Sequence, residues 1–179
     1  MGTIKATNIE PIADNGTVTL GGSGDIFTLG SGTKASFLYP AFEAHSNTAQ
    51  SLTDNTYAKV DLQTEILDTD NNFSSSRFTP TVAGKYYFEG QTFNMGSDNT
   101  SVRNIYVSIY KNGSQYKESR INFHGSEITF GTIQVSAIID MNGSSDYVEL
   151  YAATDVTSGS ASLREGTRAN YFLGYRIGT

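Results

Sequence analysis

Three features of this sequence predict an all-β sandwich or barrel of about eight to ten strands. Charged residues make up only 17% of the 179, and Gly, Ser, Thr and Asn take their place, the composition of strands joined by many turns. Apolar and polar residues alternate with period two, most clearly in NIYVSIY (104–110), and no segment sustains a 3.6-residue period with helix caps. Turn signals recur at short intervals, among them Asn-Gly pairs at 112–113 and 142–143.

From the N-terminus, residues 1–34 stand apart from the rest. They are poor in aromatics, rich in Gly, Thr and Ser, and carry a small repeat, VTLGGSG (18–24) followed by FTLGSG (27–32). Each copy reads as a short strand ending at a glycine turn. Two strands of this size cannot bury a core alone. The segment is therefore expected to fold against a partner or another copy of itself, with a flexible linker as the alternative reading. Neither copy contains Gly-Lys-Ser/Thr, so neither is a phosphate loop.

From Ala35 onward strand signals dominate. Ile105, Val107 and Ile109 are expected on one face of a strand, Tyr106, Ser108 and Tyr110 on the other, with KNGSQ closing a hairpin because both central residues adopt φ > 0. MNGSS is read as the turn of a second hairpin, between ITFGTIQVSAIID and DYVELYAAT. There Val148 and Leu150 face one way and Tyr147, Glu149 and Tyr151 the other. In RFTPTVAGKYYFEG (77–90), Pro80 cannot donate to a ladder and is expected at a strand end or edge. Gly84 then permits the turn that launches KYYFEGQTFNM, bringing Phe78, Tyr86 and Phe88 of successive strands together. With Phe172 these are the expected core aromatics.

The order of these pieces resembles the globular head of complement one-q and its relatives among the tumour-necrosis-factor-like jelly rolls. The recurring pattern is a phenylalanine, a polar residue and proline, then glycine, an aromatic, one residue and phenylalanine. FEAH (42–45) is similar to the family's first strand, DTDNNFSSSRF to its approach to the proline, VSIYKNGSQ to its hairpin, and YFLGY to its terminal strand. The resemblance covers roughly residues 36–177 and departs from the family in lacking a Gly-Asp before the strand DYVELYAAT. It implies a jelly-roll β-sandwich of about ten antiparallel strands spanning 35–179, assembled as a homotrimer about a threefold axis. Tyrosines on the second face of several strands (Tyr106, Tyr110, Tyr147, Tyr151 and Tyr175) are the expected trimer-interface residues, because tyrosine joins apolar area to a hydrogen-bonding tip. Residues 1–34 resemble the N-terminal segments of virion and tail-fibre proteins from marine bacteriophages, which implies attachment to another virion protein.

Other function classes are set aside on composition and spacing. A net charge of −6 and a sequence pI near 4.8 leave no basic surface for nucleic acid. The start has no apolar run long enough for a signal peptide, and VSAIID is far too short to span a bilayer, so no membrane insertion is expected. The chain has no cysteine, which excludes disulfides and thiolate metal sites. Five Asn-x-Ser/Thr triplets, at Asn15, Asn72, Asn99, Asn112 and Asn142, are read as turn chemistry. His45 and His124 lie in separate predicted strands without a converging nucleophile, so no enzyme and no cofactor are expected. Asp68, Asp70 and Asn72 begin like a calcium loop. Phe73 then stands at the glycine position and Thr79 at the bidentate glutamate position, so an Asx-rich turn is expected instead.

These readings converge on a bacteriophage virion protein made in the host cytoplasm: a homotrimeric tail-fibre-type adhesion head, anchored through residues 1–34. A capsid decoration protein and a cellular complement-like binding module are the alternatives. The expected ligand is a host-surface glycan or protein, met by the polar loops 94–101 and 155–167 unless these are plain solvated connections.

Overall fold

The computed structural model describes residues 40–166 and 169–178. The repeat in residues 1–34 lies outside the described residues. The chain divides into two compact units, Met1–Phe37 and Leu38–Thr179, and every described strand belongs to the second.

Those strands number thirteen: β1 (Ala41–His45), β2 (Gln50–Leu52), β3 (Ala58–Lys59), β4 (Thr64–Asp68), β5 (Phe73–Ser74), β6 (Arg77–Phe78), β7 (Gly84–Gly96), β8 (Val102–Lys111), β9 (Ser114–Asn122), β10 (Phe130–Met141), β11 (Val148–Val156), β12 (Ala161–Leu163) and β13 (Tyr171–Gly178). The count exceeds the expected ten because five of them (β2, β3, β5, β6 and β12) are short pieces of two or three residues. All pairings are antiparallel. Sheet A is built on β7, which pairs with β10 along one edge and with β13 and β12 along the other; β1 and β4 continue beyond β13, and β2 beyond β12. Sheet B runs β5-β6-β11-β8-β9, with β3 also on β11. Sequential strands thus cross between the two layers, the all-β jelly-roll sandwich anticipated above.

The two Asn-Gly pairs behave differently. Asn112 and Gly113 both take positive φ (51° and 77°), and Lys111 faces Ser114 across a tight hairpin joining β8 to β9. At the second pair only Gly143 has positive φ (70°), and β10 and β11 lie in different sheets, so MNGSS closes no hairpin. Instead the Asn142 side-chain oxygen accepts the amides of Ser144, Ser145 and Asp146, an Asx turn that carries the chain from one layer to the other.

The core fills the space between the sheets. Phe42 stands at its aromatic centre, with ring centroids 4.4 Å from Phe78, 4.9 Å from Phe73 and 5.2 Å from Phe172. Phe78, Tyr86, Phe88 and Phe172 are fully buried, and sheet B adds Ile105, Val107, Ile109 and Leu150. Two glycines follow from this packing. A Cβ at Gly174 would collide with the Phe88 ring, and one at Gly90 with Leu150. The aromatic pair flanking a glycine in YFLGY therefore reflects a ring lying across the backbone of β13.

Candidate functional site

With the inner faces consumed by the core, the two outer faces and the loop ends hold whatever this domain binds. The outer face of sheet A can be read in rows from the strand register. One row crosses from Ile138 (β10) through Tyr87 (β7) to Tyr175 (β13). The next runs Ser136, Glu89, Leu173, Glu43 and Leu67, and the third Gln134, Gln91, Tyr171 and His45. Ile138 is 58% exposed, Leu67 47% and Tyr175 46%, which leaves a face more apolar than a solvated sheet needs. At its far end Phe130, 55% exposed, stacks on Phe93, and the Arg164 guanidinium lies 4.9 Å from the Phe93 ring centre.

Five polar side chains of this face, Tyr87, Glu89, Gln91, Gln134 and Tyr171, are hydrogen-bonded to one another. Glu89 accepts the hydroxyls of Tyr87 and Tyr171, each at 2.8 Å, and Gln134 donates to the Tyr171 hydroxyl at 2.8 Å and to Gln91 at 3.0 Å. Burial first, and then the Glu89 hydrogen bond, push the Tyr171 phenol up to about 12; at Tyr87 the Glu89 bond leads the same upward shift. Beside Ile138, where the edges of β9 and β10 approach, a groove of about 490 Å³ is lined by Tyr87, Tyr116, Lys117, Ser136, Ala137 and Ile138.

Four of the five tyrosines expected at the trimer interface, Tyr106, Tyr110, Tyr147 and Tyr151, lie with sheet B. Tyr110 and Tyr151 stack at 4.0 Å on its outer face. Tyr57, just before β3, sets its ring edge-on to Tyr106 at 5.8 Å and tilted against Tyr110 at 6.2 Å. Its hydroxyl donates to Glu118 on β9, across the strand where Ser108 is fully buried. Tyr147, at the mouth of β11, is covered by the Arg77 guanidinium at 3.8 Å from its ring centre. Arg77 also donates to the buried Glu149 at 2.9 Å, which Lys59 approaches to 3.4 Å. Only Tyr175 of the predicted set is on sheet A. The set splits because strand alternation assigns a residue to a face of its own strand, and the chain's crossings decide which sheet that strand joins.

Ile138, Leu173, Leu67, Glu89 and Tyr57 were not singled out by sequence. For Ile138 a signal existed: Ala137-Ile138-Ile139 breaks the alternation of β10 with apolar residues on both faces.

The expected ligand loops are shorter than 94–101 and 155–167, since β7 reaches Gly96 and β11 and β12 claim 155–156 and 161–163. The remainder is brought together at one end of the sandwich. Ser97 donates to the Ser160 carbonyl at 2.9 Å, and Thr157 to the Ser101 carbonyl at 2.8 Å. In the calcium-like stretch the two Asp68 oxygens accept the amides of Asn72 and Phe73 at 3.0 and 2.8 Å, and the Phe73 ring points into the core. His45 is buried with its Nε2 2.9 Å from Asn47, and His124 sits in the turn after β9.

The chain matches no family model and no curated protein. It is similar in fold to the globular domain of zebrafish complement 1qA protein, at 14% identity and a TM-score of 0.54, covering 77% of this chain and 97% of that one. The Eiger tumour-necrosis factor of S. frugiperda aligns with a TM-score of 0.58 at 11% identity over 78% of this chain and 92% of that one. Murine APRIL aligns at 10% identity, with a TM-score of 0.54 over 78% and 99%.

Proposed function

We propose that this chain is a bacteriophage virion protein whose jelly roll is a homotrimeric, non-enzymatic binding head, anchored to the particle through residues 1–34. The observation that carries the assembly is the row Ile138–Tyr87–Tyr175 with Leu173 and Leu67 behind it: a sheet face with apolar side chains left in water. The resemblance to complement one-q-like heads, which implies a threefold trimer, supports the same reading. A closed ring of three needs two different patches that fit each other. The apolar row of sheet A and the Tyr116–Lys117 wall of the adjoining groove, on β9, are the two patches this reading assigns to it. Because Glu89 is already hydrogen-bonded by two tyrosines, covering this face does not strand its carboxylate.

The virion assignment and assembly in the bacterial cytoplasm rest on the N-terminal resemblance. The ligand of such a head is a host-surface molecule. Analytical ultracentrifugation of the full chain tests the assembly. The wild type sediments as a trimer at micromolar concentration, and Ile138→Asp with Tyr175→Ser yields a folded monomer. A wild-type monomer, or a double variant that stays trimeric, overturns the reading.

A further inference from the structure

Resting on the reading of this chain as a binding head, we infer that the tyrosine cluster on the outer face of sheet B binds a neutral oligosaccharide. The two outer faces differ in kind. Sheet A exposes aliphatic side chains, the counterpart of a protein surface. On β3, β8 and β11 the large outward apolar side chains are tyrosines, over a floor of Ser108 and Ala153, and no exposed aliphatic residue is found there. A sugar offers a patch of C–H bonds ringed by hydroxyls, and half-buried tyrosines offer ring area ringed by hydrogen-bonding tips.

The rings are fixed before any ligand arrives. Tyr110 is held by Tyr151 at 4.0 Å, and Tyr57 is held by Tyr106, Tyr110 and its hydrogen bond to Glu118. Little side-chain freedom remains to be lost on binding. On the β9 side the rim is planar and polar: Gln115 donates to Glu118 at 2.9 Å, and the Arg120 guanidinium lies 5.9 Å from the Tyr106 ring centre. Such groups bond pairs of neighbouring sugar hydroxyls. The chain's net charge of −6 disfavours an acidic glycan. Self-association as proposed covers sheet A and the Tyr116–Lys117 edge of β9, so the outer face of sheet B over β8 and β11 stays outward in a trimer.

The test is a printed array of neutral and acidic oligosaccharides probed with the full chain, followed by titration of any hit. The chain has no tryptophan, so its emission comes from eleven tyrosines, of which Tyr57, Tyr106, Tyr110 and Tyr151 form the cluster, and a change lost in Tyr57→Phe is assigned to it. A neutral glycan is expected to bind and to change that emission saturably. Tyr57→Ala is expected to weaken binding about tenfold or more, Glu118→Gln to weaken it less, and both to keep the wild-type melting curve and sedimentation. If Tyr57→Ala unfolds, Glu118→Gln and Tyr57→Phe carry the decision. Binding only to acidic glycans or to protein, no binding to any neutral glycan, or neutral binding indifferent to the variants that fold overturns the assignment. Sedimentation of the same samples keeps the two readings apart, since a monomer that binds glycan through Tyr57 sinks only the trimer.

Discussion

The Tyr171 hydroxyl of β13 donates to Oε1 of Glu89 on β7 at 2.8 Å, diagonally across the outer face of sheet A, while Tyr87 takes the other carboxylate oxygen. Ionising Tyr171 in the folded chain would remove this donor and set a phenolate against a carboxylate. Burial, first among the causes, and then this bond raise its folded value to about 12, above the unfolded value of about 10. A raised folded pKa means a contribution fully present below pH 10 and lost as pH climbs from about 10 through about 12. Tyr86, raised to about 12 chiefly by burial, acts in the same window. Chemical denaturation between pH 8 and 12 should show stability falling above pH 10. Tyr171→Phe should make that fall shallower, and an unchanged slope would mean the Tyr171–Glu89 bond does not persist in solution.

Gly174 and Phe88 face each other across β13 and β7, and the ring occupies the space that any side chain at 174 would need. Gly174→Ala should cost about 1–3 kcal/mol by overpacking. Phe88→Ala should cost about 3–5 kcal/mol, as a buried aromatic replaced by a cavity. The double variant should cost clearly less than the sum, because the new methyl enters the space the ring has left. Urea melts of the four proteins measure this directly, and strict additivity would place the ring elsewhere.

Arg103 grips Asp155 with two bonds, at 2.9 and 2.7 Å, and Asn104 adds a third at 2.6 Å. The partners are unequally covered: the Asp155 side chain is 5% exposed and that of Arg103 37%. Removing the arginine leaves a charge short of partners in the interior, whereas removing the acid leaves a guanidinium that reaches water. Arg103→Ala should therefore destabilise more than Asp155→Asn. The Arg103 hydrogen bond, first among the causes, holds the Asp155 carboxyl below its ordinary range. Its contribution is present above the unfolded value of about 4 and fades as pH falls through the depressed folded value. Arg103→Ala should lose that acid-side dependence. Equal melting midpoints for the two variants at pH 7 would contradict the asymmetry.

The architecture was legible where one residue type has one structural use. Pro80 lies just beyond the end of β6, Gly84 takes φ of 146° as the first residue of β7, Asn112-Gly113 makes the hairpin, and alternation sorts Ile105, Val107 and Ile109 from Tyr106 and Tyr110. The functional surface was less legible because it depends on which strands become neighbours. Tyr175 and Tyr151 look alike in sequence, yet one joins Ile138 through β7 and the other stacks on Tyr110, which in turn meets Tyr57 from the turn preceding β3. Phe42 and Phe73 carry the same lesson, since only the fold stacks residues thirty-one apart at the centre of the core. Asn142-Gly143 misled because its side chain, not its backbone, makes the turn.

The anchor and the head should separate physically. The unit Leu38–Thr179 contains every described strand, and both partners of β1, namely β4 and β13, lie within it. Its described core runs from Phe42 to Phe172, and the row Ile138–Tyr87–Tyr175 proposed to cover itself in a trimer is also inside it. Residues 1–34, by contrast, offer one phenylalanine, no tyrosine and a repeated Thr-Leu-Gly sequence. Deleting them should leave a folded, thermally stable trimer that no longer enters particles. Quantitative mass spectrometry of purified virions, complemented with truncated or full-length chain, measures the second half of that statement. Full incorporation of the truncated chain would refute the anchor. It would make the jelly roll itself the docking surface, as a capsid decoration requires, and sheet A would then face the particle rather than two further copies of the chain.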